Sequence, residues 1–173
     1  KEVSQYWQKV IEINNWQKKR ISKIFVEKLF GTISEKKIAI FGFAFKANTN
    51  DTRESPSISI CKDLLEEGAK IFIYDPQVSN TQIAIDLNIS GTKQEEYNFS
   101  NGSWEFSKST YEAAENADAI LILTEWDEFK YLDFKKLSKI MRKPSWIFDT
   151  RSIINIQDAK KSGINVWNLG KGN

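Results

Sequence analysis

Short apolar runs alternate with amphipathic stretches along most of the chain, and this alternation limits the possible folds more than any other feature. Lys37–Phe43 (KIAIFGF) is a continuous apolar run, the pattern of a strand buried on both faces. Ser55-Pro56 follows, a good N-cap and first helical position, and the helix it opens carries Ile58, Ile60, Cys61, Leu64 and Leu65 before Gly68. Further strands are expected at Ala69–Tyr74, Ala117–Thr124, Ser145–Phe148 and Asn165–Leu169. Helices are expected between them at Thr110–Asn116, Asp133–Met141 and Ile156–Ser162. Strand and helix in repeated succession predict an α/β fold, three α/β/α layers around a mainly parallel sheet. Residues 88–109 are polar and without a clear period, and are expected to form a surface insertion.

Ahead of this pattern stands a different one. Val3, Trp7, Val10, Ile11, Ile21, Ile24, Phe25 and Leu29 recur at helical spacing, which predicts one helix over 2–30 that stops at Gly31. At about 1.5 Å per residue such a helix is roughly 43 Å long, more than a small domain is wide, so it is expected to bridge two domains or two subunits. It begins at the first residue, as if the chain were cut from something larger. The expected division is a helix over 1–31 and an α/β domain over 32–173. Residues 1–46 hold ten Lys/Arg against four Asp/Glu, a basic front that is either a solvated helix face or an anion-binding surface.

Composition removes several chemistries. The net charge of +2 argues against nucleic acid as the main partner, and no apolar run approaches the ~20 residues of a membrane span. One cysteine, Cys61, rules out a disulfide within the chain and points to a reducing compartment, the cytoplasm. The absence of histidine rules out a Ser–His or Cys–His couple and the usual zinc sites. Cys61 falls mid-helix among apolar neighbours and reads as a buried structural thiol rather than a nucleophile.

Ligands of parallel sheets bind beyond the carboxyl ends of the strands, so those ends hold the candidate site. The first carries Phe45, Lys46 and Asp51-Thr52-Arg53-Glu54, and the second Asp75. The third carries Thr124-Glu125-Trp126-Asp127 and the fourth Asp149-Thr150-Arg151. Lys46, Arg53 and Arg151 suit a diphosphate or another anion, helped by the N-terminus of the helix at Pro56. The other reading is that Arg53 and Arg151 pair with Asp51, Glu54 or Asp149 and tie loops together. A dinucleotide fingerprint is absent: GFAFKA from Gly42 has one glycine, and Phe43 and Phe45 are expected to obstruct a pyrophosphate. Asp75 reads as a turn former before Pro76, with a ribose-binding acid and a phosphoacceptor as alternatives. Trp126 and Phe129 read as packing residues, with a stacking platform as the alternative.

Taken in order, GFAFK (42–46), DTRESPS (51–57), YDP (74–76), TEWD (124–127) and FDTR (148–151) resemble the UDP-glucose/GDP-mannose dehydrogenase family. Within that family the chain is similar to the central helix and C-terminal UDP-binding domain of the UDP-glucose 6-dehydrogenases. The resemblance covers nearly the whole chain and is weakest over 88–109. It implies a Rossmann-like domain that binds the UDP part of UDP-glucose, beside an N-terminal NAD-binding domain of the same protein. It implies oligomers, with a dimer through the helix at 2–30; dimers and hexamers both occur in the family. The implied reaction oxidises UDP-glucose with two NAD+ to UDP-glucuronate through a cysteine thiohemiacetal and thioester. Substrate contacts carry over to Phe45, Lys46 and Arg151, and a contact with NAD to Arg53. The family's nucleophile lies in a glycine-rich segment ahead of the central helix, and Cys61 does not occupy its place. The NAD fingerprint and the family's catalytic Lys and Glu are also absent, so the chain alone is expected to be inactive. Ser152 follows Arg151 where Asn or a second Arg is usual.

Overall fold

A computed structural model describes residues 9, 12, 13, 16, 20, 21, 23–29, 31–87 and 102–169. The described positions between 9 and 28 are helical (α1), and the rest of the helix expected over 2–30 lies outside the described residues. Gly31 ends it at a φ of 78°, where its N–H donates to Val26 O at 3.0 Å. The remaining elements are β1 (Lys37–Phe41), α2 (Pro56–Glu66), β2 (Lys70–Tyr74), α3 (Asn80–Asp86), β3 (Ser103–Phe106), α4 (Thr110–Ala114), β4 (Ala119–Ile122), α5 (Phe134–Ile140), β5 (Trp146–Asp149), α6 (Ile156–Lys161) and β6 (Asn165–Asn168). A 3₁₀ turn, Asp127–Tyr131, sits between β4 and α5.

All five strand pairings are parallel, in the order β3-β2-β1-β4-β5-β6. This is the Rossmann order, which confirms the expected α/β class. The chain reverses direction across the sheet between β1 and β4, so those two strands form the switch point. Each is buried along its apolar length, Ile38–Phe41 in β1 and Ala119–Ile122 in β4, which is why neither sequence alternates. Right-handed crossovers place α2 and α3 on one face and α4, α5 and α6 on the other.

The third helix of the first face is α1. Phe25 and Leu29 are buried in the core shared by the sheet, and the Phe25 ring lies 4.4 Å from that of Phe148 on β5. Burying two such side chains contributes about 1.5–3 kcal/mol each. The end of this helix therefore completes a layer of the α/β domain. Its described upstream residues Ile13 and Trp16 remain exposed.

The segment 88–109 departs from expectation. Residues 88–101 lie outside the described residues, but Ser103–Phe106 is strand β3, paired to β2. A Ser-Trp-Glu-Phe edge strand buries one side per residue at most, so it lacks the apolar run that marks the central strands. Helix α3 also went unexpected: Ile83 is its one buried residue, too little for a visible stripe.

Candidate functional site

The loop after β1 begins with Gly42, whose φ is 90°. A Cβ there would stand 2.4 Å from the Thr124 Cβ, so glycine is required by the close approach of the β1 and β4 ends and not by a ligand. Thr124 then closes the gap by donating its hydroxyl to Ala44 O at 2.8 Å.

The backbone amides at the start of this loop, Gly42 to Phe45, are consumed internally. Asp75, at the end of β2, accepts from Phe43 N at 2.7 Å and Ala44 N at 3.0 Å through Oδ2. The same oxygen accepts from the Trp126 indole at 3.1 Å, while Oδ1 takes Gln77 N and Val78 N, both at 2.9 Å. Phe45 N donates to Asp51 O at 2.9 Å. Asp75 is thus the turn former expected, and more: it ties the loops after β1, β2 and β4 together. A carboxylate with five donors has no capacity left for a ribose or for phosphotransfer. Trp126 and Phe129 are buried and pack, as read from sequence.

Two expectations fail here. Phe43 points into the core and obstructs nothing, leaving Phe45, 47% exposed, as the aromatic group at the sheet edge. The α2 N-terminus offers no ready donors either. Pro56 has no N–H, Ser57 N is capped by the Ser55 hydroxyl at 3.3 Å, and Ile58 N bonds Ser55 O at 3.3 Å. Ser55 and Ser57 are themselves buried, with the Ser55 hydroxyl donated to Phe43 O at 2.8 Å. The α2 N-terminus therefore gives an anion little, and the exposed side chains of this edge are the candidates to hold one.

The cations sit where that requires. Lys46 is exposed and has no ion pair among the described residues. Arg53 is exposed and pairs with Asp51 through Nε at 3.0 Å and Nη2 at 2.8 Å. Those side-chain bonds, then the Arg53 N–H, hold the Asp51 carboxyl down at about 2, and the Lys46 charge adds to the effect. Arg151 follows β5, half-buried, with Nε donating to Leu123 O at 2.6 Å and lying 3.4 Å from Glu125 Oε2. Its sequence partner Asp149 is occupied elsewhere, accepting from Arg151 N, Ile153 N, Ile154 N and the Asn168 amide. Both arginines make loop pairs, Arg53 with Asp51 and Arg151 with Glu125 instead of Asp149, and both keep edge atoms open to a ligand. Glu125 also accepts from Ala47 N at 3.4 Å, which links the Lys46 loop to Arg151. Ser152, at a φ of 57°, occupies a backbone position that Asn tolerates more readily.

Cys61 is fully buried on α2, and burial pushes its thiol far above the ordinary range, so it cannot serve as a nucleophile. No metal-binding cluster occurs among the described residues, and none of their helices is long and apolar enough to cross a membrane. Two grooves, about 530 and 370 Å³, lie at the opposite edge of the sheet, near Gly31 and Glu67 and near Gly163 and Asn165.

Fold and site together define a Rossmann-ordered domain of the nucleotide-binding type whose ligand edge presents cationic side chains in place of a glycine-rich amide loop. Residues 39–156 match the model of the UDP-glucose/GDP-mannose dehydrogenase family, UDP binding domain. The chain is 44% identical to UDP-glucose 6-dehydrogenase 4 of Arabidopsis thaliana over 180 residues, covering 98% of this chain and 37% of that protein. It is 44% identical to UDP-glucose 6-dehydrogenase of Drosophila melanogaster, covering 98% and 36%. A solved structure of UDP-D-ManNAc dehydrogenase from Pyrococcus horikoshii superposes with a TM-score of 0.70 at 27% identity, covering 93% of this chain and 32% of that one. The chain belongs to the UDP-glucose/GDP-mannose dehydrogenase family and corresponds to its UDP-binding domain. It spans little more than a third of the length of these curated relatives.

Proposed function

We propose that this chain is the UDP-sugar-binding part of a cytoplasmic, NAD-dependent UDP-glucose 6-dehydrogenase that converts UDP-glucose to UDP-glucuronate. The observation that carries the reading is the division of labour at the switch point: the amides of Gly42 to Phe45 satisfied internally, Lys46, Arg53 and Phe45 exposed, and Arg151 anchored at Nε. Lys46 and Arg151 hold the diphosphate, Phe45 lies against the nucleotide sugar, and Arg53 reaches across to an NAD. The residues present do not fit NAD within this domain itself, because Asp75 is saturated and the first-loop amides are spent. NAD and the cysteine nucleophile belong to a separate N-terminal domain, and this chain alone turns over no substrate. Exposed Ile13 and Trp16 on α1 support a homo-oligomer assembled through that helix.

Calorimetric and thermal-shift titration of the chain with UDP, UDP-glucose and NAD+ tests the reading. UDP and UDP-glucose are expected to bind and raise the melting temperature, by about 2.7 kcal/mol of stability at 100 times Kd, with no effect of NAD+. Lys46→Ala is expected to weaken UDP about 10-fold or more, the loss of one charge-assisted contact. Binding of NAD+ in preference to UDP, or a Lys46→Ala variant with unchanged UDP affinity, overturns the assignment.

A further inference from the structure

We propose that Glu125 is a positioning residue for the UDP-sugar site, setting Arg151 against the Lys46 loop; this rests on the reading of the switch point as a diphosphate site. A carboxylate is a poor choice beside an anion, since it weakens the local attraction for phosphate. Its geometry gives the reason for its presence. Oε1 lies 3.4 Å from Ala47 N and Oε2 lies 3.4 Å from Arg151 Nε. Among the described residues it is the side chain that bonds both the loop after β1 and the loop after β5.

Glu125 is itself held from both sides. Thr124 donates to Ala44 O at 2.8 Å, and the Trp126 indole donates to Asp75 at 3.1 Å, and both residues are buried. The end of β4 therefore works as a fixed ruler with one half-exposed carboxylate set between Arg151 and the Lys46 loop. Arg151 is gripped at Nε by Leu123 O and Glu125, and its two terminal amino groups have no hydrogen-bond partner among the described residues. That is the arrangement a planar fork needs to meet phosphate oxygens with its outer edge. Without Glu125, Arg151 keeps one anchor and can swing about it, and the Lys46 loop keeps only its Thr124–Ala44 link to the end of β4.

The test is a double-mutant cycle read by calorimetric titration of UDP into the chain. Glu125→Ala is expected to weaken UDP about tenfold while the melting temperature stays close to that of the parent. In an Arg151→Ala background the same truncation is expected to change UDP affinity less than about twofold, because no fork remains to be positioned. Glu125→Gln, which keeps the length and one acceptor, carries the same cycle if truncation unfolds the chain. Equal losses in both backgrounds, or unchanged or tighter binding by Glu125→Ala, overturn the proposal and leave the UDP site standing. Failure of the unmutated chain to bind UDP overturns the reading of the site and this inference with it.

Discussion

Replacing Asp75 with alanine removes the acceptor for five hydrogen bonds without touching any exposed cation. Four of its donors belong to buried residues: the N–H groups of Phe43, Ala44 and Val78, and the indole of Trp126. Gln77 is exposed and its N–H can turn to water. A buried donor left without a partner costs about 1–3 kcal/mol, so four would approach the whole stability of a typical domain, about 5–15 kcal/mol. Water entering the space of the lost carboxylate recovers part of that. The expected net loss is about 4 kcal/mol, and Asp75→Asn, which keeps one carbonyl oxygen, is expected to lose about half as much. Urea unfolding followed by tryptophan fluorescence reads this directly. With a slope near 2 kcal/mol/M, the midpoint of Asp75→Ala should fall by about 2 M. A midpoint within about 0.5 M of the parent would show that water serves these amides as well as the carboxylate does, and that the loops do not depend on Asp75.

Two further expectations follow from burial. Cys61 should resist thiol reagents in the native chain and react at once in denaturant, because burial holds it protonated; ready native reaction would place it outside the core. Tyr74 is pushed up to about 12, first by burial and then by its hydrogen bond to Glu128. Its folded pKa lies above the unfolded value near 10, so its contribution to stability is complete below about pH 10 and is lost as the pH rises toward 12. In an ultraviolet absorbance titration Tyr74 should ionise late, near pH 12, while the chain stays folded, and Tyr74→Phe should remove that late step.

The parts of the fold legible in the sequence are those that bury many apolar atoms per residue. Lys37–Phe41 and Ala119–Ile122 are central strands, and no helical or solvated conformation accommodates such runs so well. Strand β3 was not legible because its pairing partner supplies what its own residues do not, a neighbouring ladder already committed to the sheet. The site divides in the same way. Residue type and strand-end position were enough to single out Lys46, Arg53 and Arg151. The saturation of the α2 N-terminus and the inward turn of Phe43 depend on where Ser55 and Gly42 fall in space, and spacing along the chain carries no such information. Glu125 was visible as one acid in a polar segment, but its double contact exists only after β4 lies between β1 and β5.

Two acids of this edge lie beneath its cations, while Asp51, Glu54, Glu125 and Asp127 stay partly or fully exposed. Asp75 and Asp149 are buried, and nine donors between them, most of them backbone amides, absorb their charge. Lys46 and Arg53 stand in solvent, where their charge reaches outward. A glycine-rich loop solves the phosphate problem with amides and must keep them free, at the expense of loop rigidity. Here the bonded amides tie the loops to two aspartates instead, and on the proposed reading a phosphate is met by side chains carried on that frame. On the proposed reading, Lys46 and Arg53, both exposed at this edge, are the cations open to a second domain.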